Sequence, residues 1–282
     1  MRKESTEASS NCFENFEIAL PVHGKEKGEK INAEVVTTEQ ILDWSDSAQK
    51  RLKTELELLI SVAFPKMPEK DQNEFVEKFF RRLRGDFYRQ AILFRNENSE
   101  LIAATVFDCG NVEYEGRITK TTYFILRAIL KEYQELGLGK FISSHILTQL
   151  QPDILMVTCY QSLSLHSWVG LPKKVGVSSF EVYPRLEQTN GKDVLITVPF
   201  KDIDFVMHIF KQMFPGVINY DQERIDKAIR NLTVLMTRKN DHEEVYDFNP
   251  WEKHGRKDKL AEALGLTYKD GVVVMFKKII ER

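Results

Sequence analysis

The chain is poor in the features that mark several protein classes. It has only three cysteines, Cys12, Cys109 and Cys159, odd in number and widely spaced. That excludes a disulfide framework and points to reduced thiols, so a cytoplasmic location is expected. Neither the histidines nor the cysteines fall at metal-ligand spacing, and no metal is expected. There is no excess of one charge: the formal net charge is −2, so neither nucleic acid nor a membrane surface is an expected partner. No apolar run is long enough to span a bilayer, and the start, MRKESTEASSNCFENFE, lacks the apolar core of a secretory signal. No internal repeat is visible.

What remains is a soluble-type composition, 42% hydrophobic and 29% charged over 282 residues, enough for one large domain or two small ones. The informative stretch is 121–150, TTYFILRAILKEYQELGLGKFISSHILTQL. Thr121 to Leu130 is almost unbroken apolar or β-branched sequence, as in a strand buried on both faces. Gln134 to Gly139 then turns the chain, and from Lys140 the residues Phe141, Ile142, Ile146, Leu147 and Leu150 fall at helical spacing.

A glycine loop that opens a helix has a physical use. Glycine lets the backbone approach a ligand, and the first helical amides lack intrahelical partners at the positive end of the helix dipole. Together they suit phosphate or pyrophosphate, with Lys140 adding charge. A Walker A loop is excluded, because Phe141 follows Gly139-Lys140 and Gln134 stands where the first glycine belongs. A dinucleotide fingerprint is excluded by Ile142 at the third glycine position. What fits is Q-x-x-G-x-G between a buried strand and a helix. This resembles the coenzyme A-binding motif, [QR]-x-x-G-x-[GA], of the GNAT superfamily of N-acetyltransferases.

The order of elements strengthens the resemblance. Residues 33–36 read as a first strand. Thr37 and Gln40 have capping-box spacing ahead of a helix with Leu52, Leu56, Leu59, Ile60 and Ala63 on one face. Pro65 and Pro68 separate it from a second helix with Phe75, Val76, Phe79, Phe80, Leu83 and Phe87. Strands over 90–95 and 101–109, a hairpin over 110–117 and the strand from Thr121 follow. After the loop and helix comes an apolar strand over 154–160, which a crossover helix makes parallel to its predecessor. Further elements read as a helix over 161–176, strands over 180–186, 193–199 and 233–237, helices over 202–213, 221–231 and 260–264, and a closing strand over 271–276. The expected division is a polar lead-in, 1–32; a GNAT-like acyl-CoA-binding core, 33–189; an insertion or C-terminal elaboration, 190–258; and a closing helix and strand of the main sheet, 259–282.

The resemblance implies a mixed α/β (α+β) fold, with a mainly antiparallel central sheet, helices on both faces, and a splay between the family's fourth and fifth strands. It implies acetyl-CoA or another acyl-CoA as co-substrate. The amine acceptor is a small molecule or a protein, transfer is direct, and the oligomeric state is open. The implied cofactor-binding residues are Ile129, Lys131, Gln134, Leu136, Gly137, Leu138, Gly139 and Lys140. The family's glutamate base falls on Tyr123, and its tyrosine acid falls on Pro172. Tyr160, ending the strand opposite the expected gap, is the candidate general acid in its place. His166 is a second titratable candidate; His145 reads as packing, Glu132 as solvated and Cys159 as a buried thiol. The alternative reading is a GNAT-like module that binds CoA or a protein partner without catalysis.

Overall fold

A computed structural model describes residues 14–21, 28–83, 87–114, 116–159, 162–176, 179–197, 205, 235–237, 252–253, 256–266 and 270–279. The expected helices over 202–213 and 221–231 lie outside these residues, except for Phe205. The chain divides into two compact units.

The first unit comprises residues 1–109 and 126–150. Its strands are β1 (Phe16–Leu20), β2 (Glu29–Thr37), β3 (Phe87–Arg95) and most of β4 (Leu101–Tyr114), neighbours in that order. β1 pairs antiparallel with β2, Phe16 opposite Ala33 and Leu20 opposite Glu29. The stretch read as a polar lead-in therefore contains a strand. Phe16, Ile18 and Leu20, which with Phe13 form an apolar patch expected to dock on the domain, alternate along it, and Ile18 and Leu20 are buried.

The helices of this unit start where capping chemistry predicts. Thr37 Oγ1 accepts from the Gln40 amide at 3.2 Å and Gln40 Oε1 accepts from the Thr37 amide at 2.7 Å, opening α1 (Thr38–Asp43). Ser45 caps α2 (Asp46–Ala63), which buries Leu52, Leu56, Leu59 and Ile60 along one stripe. Gln72, on α3 (Glu69–Lys78), donates to the carbonyls of Phe64 and Met67 at 3.3 and 2.8 Å and so satisfies the end of α2. The second helix stops at Lys78, so Leu83 lies beyond it and Phe87 begins β3.

One ion pair in this unit is fully enclosed. Arg89 of β3 and Asp108 of β4 are 4% and 0% exposed. Nε and Nη2 of Arg89 donate to the two Asp108 carboxylate oxygens at 2.7 and 2.9 Å, and Nη1 donates to the Lys78 carbonyl at 2.7 Å. Burial pushes the Asp108 carboxyl up, and the guanidinium fork opposes that. The fork ties the end of α3 to two strands.

The second unit comprises residues 110–125 and 151–282. It takes the end of β4 and the first part of β5 (Arg117–Ile129), joined at Gly116 with φ 74°. β6 (Ile154–Cys159) pairs parallel with β5 from Thr121 opposite Ile154 to Phe124 opposite Val157, as the crossover predicts. Asp153 sets that register: its amide donates to the Lys120 carbonyl at 2.9 Å and its Oδ2 accepts from the Lys120 amide at 2.8 Å.

The expected helix over 161–176 is two, α6 (Ser162–Val169) and α7 (Leu171–Val175), parted at Gly170. The expected strand over 180–186 is also two, β7 (Phe180–Tyr183) and β8 (Arg185–Thr189), with a cis Tyr183–Pro184 bond between them. β8 forms a hairpin with β9 (Lys192–Ile196). β10 (Leu235–Thr237), the short pair β11 (Glu252–Lys253) and β12 (Arg256–Lys257), and α8 (Lys259–Ala263) follow. The closing strand, β13 (Asp270–Lys278), runs antiparallel to β6, with Val272 opposite Cys159 and Lys277 opposite Ile154. β10 and β7 share its other edge. Val272 to Phe276 are all buried, and Trp168 of α6 packs edge-on against Phe124 and Phe276 at 5.0 and 6.0 Å.

The class is therefore mixed α/β with a mainly antiparallel sheet and flanking helices. No described helix is long and apolar enough to cross a membrane.

Removing one member of the enclosed ion pair strands the other charge. Asp108→Ala is expected to cost about 3–5 kcal/mol of unfolding free energy in urea titrations. A loss below about 1 kcal/mol would show that Arg89 finds water or another partner.

Candidate functional site

The site lies in the first unit, where β5 ends at Ile129. Leu130, extended at φ −59° and ψ 144°, caps a short helix, α4 (Lys131–Glu135), that the sequence reading did not separate from the loop. Its amide donates to the Ile102 carbonyl at 3.0 Å, which anchors the strand end on β4. Gln134 folds back: its Nε2 donates to the Ile129 carbonyl at 2.7 Å. Thus the motif's glutamine seals the last carbonyl of β5.

Gly137 then takes φ 84° and ψ 12°, the left-handed region that disfavours any side chain. It is the residue directly before α5 (Leu138–His145), which begins two residues earlier than the periodicity suggested. The Lys140 and Phe141 amides donate to the Gly137 carbonyl at 3.0 and 3.1 Å. The amides of Leu138 and Gly139 stand first in the helix and have no intrahelical acceptor. No acidic side chain occupies the first turn of α5, so the dipole's positive end is not offset from within the helix.

The predicted cofactor-binding residues divide by environment. Leu138 and Ile129 are buried and hold the loop on the core; Gly137, Leu136 and Gly139 are half-buried; Gln134, Lys131 and Lys140 are exposed. A Cβ at Gly139 would meet Ile129 Cδ1 at 3.3 Å and Arg127 Cζ at 3.5 Å, so this glycine's open side faces β5.

Two residues here escaped the sequence reading. Arg127 Nη1 donates to the Gly139 carbonyl at 2.6 Å and to Ser143 Oγ. Ser143 Oγ also donates to the Gly139 carbonyl at 3.0 Å. The available signal was a lone cation inside the apolar run 121–130, which a mostly buried strand must provide with a partner.

α5 is also held from its other end. The His145 ring stacks on Phe16 of β1 at 4.1 Å and on Phe141 at 5.7 Å. Burial holds its imidazole below the ordinary value, in line with a packing role.

The residues expected to handle protons belong to the second unit. Tyr123 is buried and shares a hydrogen bond of 2.8 Å between its Oη and Thr158 Oγ1. Tyr160 lies outside the described residues. His166 is half-exposed and bonds Asp258 Oδ2, while Asp258 Oδ1 accepts the Leu260 and Ala261 amides at 3.0 and 3.1 Å. Burial pushes the Asp258 carboxyl up, but its bonds from His166, the Ala261 amide and Ser162 outweigh that and hold it below the usual range. Cys159 is buried, in no disulfide, and its Sγ accepts from Ser164 Oγ at 3.6 Å. Pro172 is a buried first-turn residue of α7.

No family model matches the chain, and no curated protein matches it. Solved structures do. A GNAT-family acetyltransferase described as putative, from Desulfovibrio desulfuricans, matches at 12% identity over 58% of this chain and 95% of that one, TM-score 0.35. The aminoglycoside 6'-N-acetyltransferase of Acinetobacter baumannii matches at 12% identity, over 58% and 99%, TM-score 0.33. A probable N-acyltransferase of Enterococcus faecalis matches at 15% identity, over 64% and 43%, TM-score 0.29.

The His145 contact has a pH signature. A folded value below the unfolded one means that the unfolded chain takes the proton first as pH falls. The contact therefore loses stability as pH drops below about 6.5. Thermal unfolding at about pH 7.5 and about pH 5.5 should show a fall in Tm that is smaller in His145→Phe. An equal fall in both proteins would remove His145 as the titrating group.

Proposed function

We propose that the chain binds acetyl-CoA or another acyl-CoA at the loop 134–140 and transfers the acyl group to an amine. The observation that carries this is the loop itself: a left-handed Gly137 directly before α5, with two leading amides lacking intrahelical acceptors and no acid in the first turn. This arrangement favours a phosphorylated ligand by direct hydrogen bonds and by the helix dipole. An acyl-CoA supplies the thioester that makes transfer to an amine favourable.

In this reading the chain's tasks are few. The amides of Leu138 and Gly139, with Lys140, hold the phosphates. The end of β5, kept in place by the Gln134–Ile129 and Leu130–Ile102 bonds, fixes the arm that leads to the thioester. As the amine nitrogen bonds to the acyl carbon, it gives up its proton to a base. As the carbon–sulfur bond breaks, the departing thiolate takes a proton from an acid. Tyr160 is our candidate for that acid, on its position directly after β6. A phenol near pKa 10 is still protonated at neutral pH.

A second reading is favoured by one observation. The family's base position is Tyr123, a poor base at neutral pH, and its hydroxyl is engaged by Thr158. That suits a module that binds CoA without efficient turnover.

Binding and turnover separate the two. Gly137→Val forces a β-branched residue to positive φ, at roughly 1–2 kcal/mol, and should re-aim the amides. Calorimetry is expected to show CoA affinity lowered at least tenfold in a folded protein. Unchanged affinity would exclude the loop as the binding site. In an amine panel with acetyl-CoA, Tyr160→Phe should retain CoA affinity and lose about 10²–10⁴-fold in rate. Wild-type turnover in that variant would remove Tyr160 from the reaction, and no turnover by the unmodified chain would favour the second reading.

A further inference from the structure

Several carboxylates of the first unit hold a cation: Glu17 pairs with Lys30, Glu55 with Arg95 and Glu77 with Lys53. One open groove in this unit, of about 670 Å³, is different. Glu14, Glu34 and Asp43 line it from three separate places, the lead into β1, β2 and α1, and no lysine or arginine lines it with them. Among the described residues these three carboxylates form no ion pair. Val35 and Val36, 4% and 5% exposed, and the half-buried Trp44 give the groove its apolar surface.

The backbone at this edge limits what can enter. β1 covers β2 only from Glu29 to Ala33. Beyond that, the amides on the uncovered side already have acceptors: the Val35 amide donates to Asn15 Oδ1 at 2.8 Å and the Thr37 amide to Gln40 Oε1 at 2.7 Å. Asn15 and Gln40 both line the groove. A peptide laid along the edge as a further strand needs those amides for its own carbonyls, and they are spent. The groove thus suits a ligand that brings donors and positive charge and no acceptor of its own, and an alkylammonium is such a group. Its methylene stem covers apolar surface while its head reaches the carboxylates, and a tryptophan face attracts the charge further. Carboxylates spread over three places favour several ammonium groups on one stem over a single one.

We propose that this groove binds a linear aliphatic polyamine, its ammonium groups held by Glu14, Glu34 and Asp43 and its stem laid over Val35, Val36 and Trp44. The groove stands apart from the loop: α4 meets β2 at its first residue, Glu29, through Tyr133 Oη at 2.8 Å, whereas the groove takes residues 34–36. Binding here does not require the acyl-CoA reading.

The test is calorimetry on the whole chain with a linear triamine, hexylamine, hexanediol and a lysine-rich peptide, at low and moderate salt, with tryptophan emission recorded alongside. The triamine should bind saturably, hexylamine more weakly and hexanediol not at all, and added salt should weaken triamine binding. Glu14→Gln, Glu34→Gln and Asp43→Asn should each lower triamine affinity roughly twofold to fivefold, and the triple variant about tenfold or more. Trp44→Leu should lower it by roughly twofold to fivefold and remove the emission change. The single variants carry the comparison if the triple variant does not fold. Absence of saturable triamine binding overturns the proposal. So does unchanged affinity in a folded triple variant, which moves the binding to another acidic surface. Tighter binding by the peptide than by the triamine, lost in the triple variant, overturns the polyamine assignment in favour of a protein partner.

Discussion

The structure around the loop depends on the cost of leaving a backbone donor without a partner. A helix cannot satisfy its own first amides. Some helices here solve this with side chains: Thr37 and Gln40 at α1, Ser45 at α2, Asp258 at α8. The residues before α3, α4 and α7 give no side-chain cap. At α5 the chain places Gly137, which has no side chain to offer and adopts a left-handed conformation. In the proposed reading, the leading amides of α5 are those that an acceptor from outside would take.

That omission would be unstable if the loop were loose. It is held from several directions within its own unit. Gln134 closes the end of β5, Leu130 reaches β4, Arg127 and Ser143 grip the Gly139 carbonyl, and Phe16 covers the far end of α5 through His145. β1 therefore has a task that its polar surroundings conceal. It extends the sheet by one strand and supplies the ring against which the loop's helix rests.

Much of this was legible in the sequence, and the reasons are local. The capping box, the stripe of α2, the strand over 154–160 and the closing strand depend on residues near one another in the chain, and periodicity reports such residues well. The glycine turn was legible because its glycines fall between an apolar strand and a helix-spaced stripe. What was not legible depends on partners distant in sequence. Gln134 was read for its motif and not for the Ile129 carbonyl; α4 was merged with the loop because KEYQE has no stripe of its own. Arg127 was passed over because a strand pattern counts a cation as noise, whereas in a buried strand it requires a partner. Asp108 and Arg89 lie 19 residues apart, and nothing local announces that they form one enclosed group.

The proposed proton chemistry and the proposed binding differ in what they demand of a sequence. Binding a phosphate takes backbone amides, which any residue with the right φ supplies, so a short glycine spacing suffices to find it. Moving a proton takes a particular side chain, correctly placed and with a suitable pKa. The resemblance in the sequence would put a base at Tyr123, whose hydroxyl is bonded with Thr158, and an acid at the buried Pro172. His166, the natural titratable substitute, is committed to Asp258, which in turn caps α8. Each expected group is thus replaced or engaged, while the backbone of the loop keeps its form. A protein under demand only for the ligand would retain the loop and could lose the acid and base without harm. A protein under demand for turnover would have to supply both from other positions.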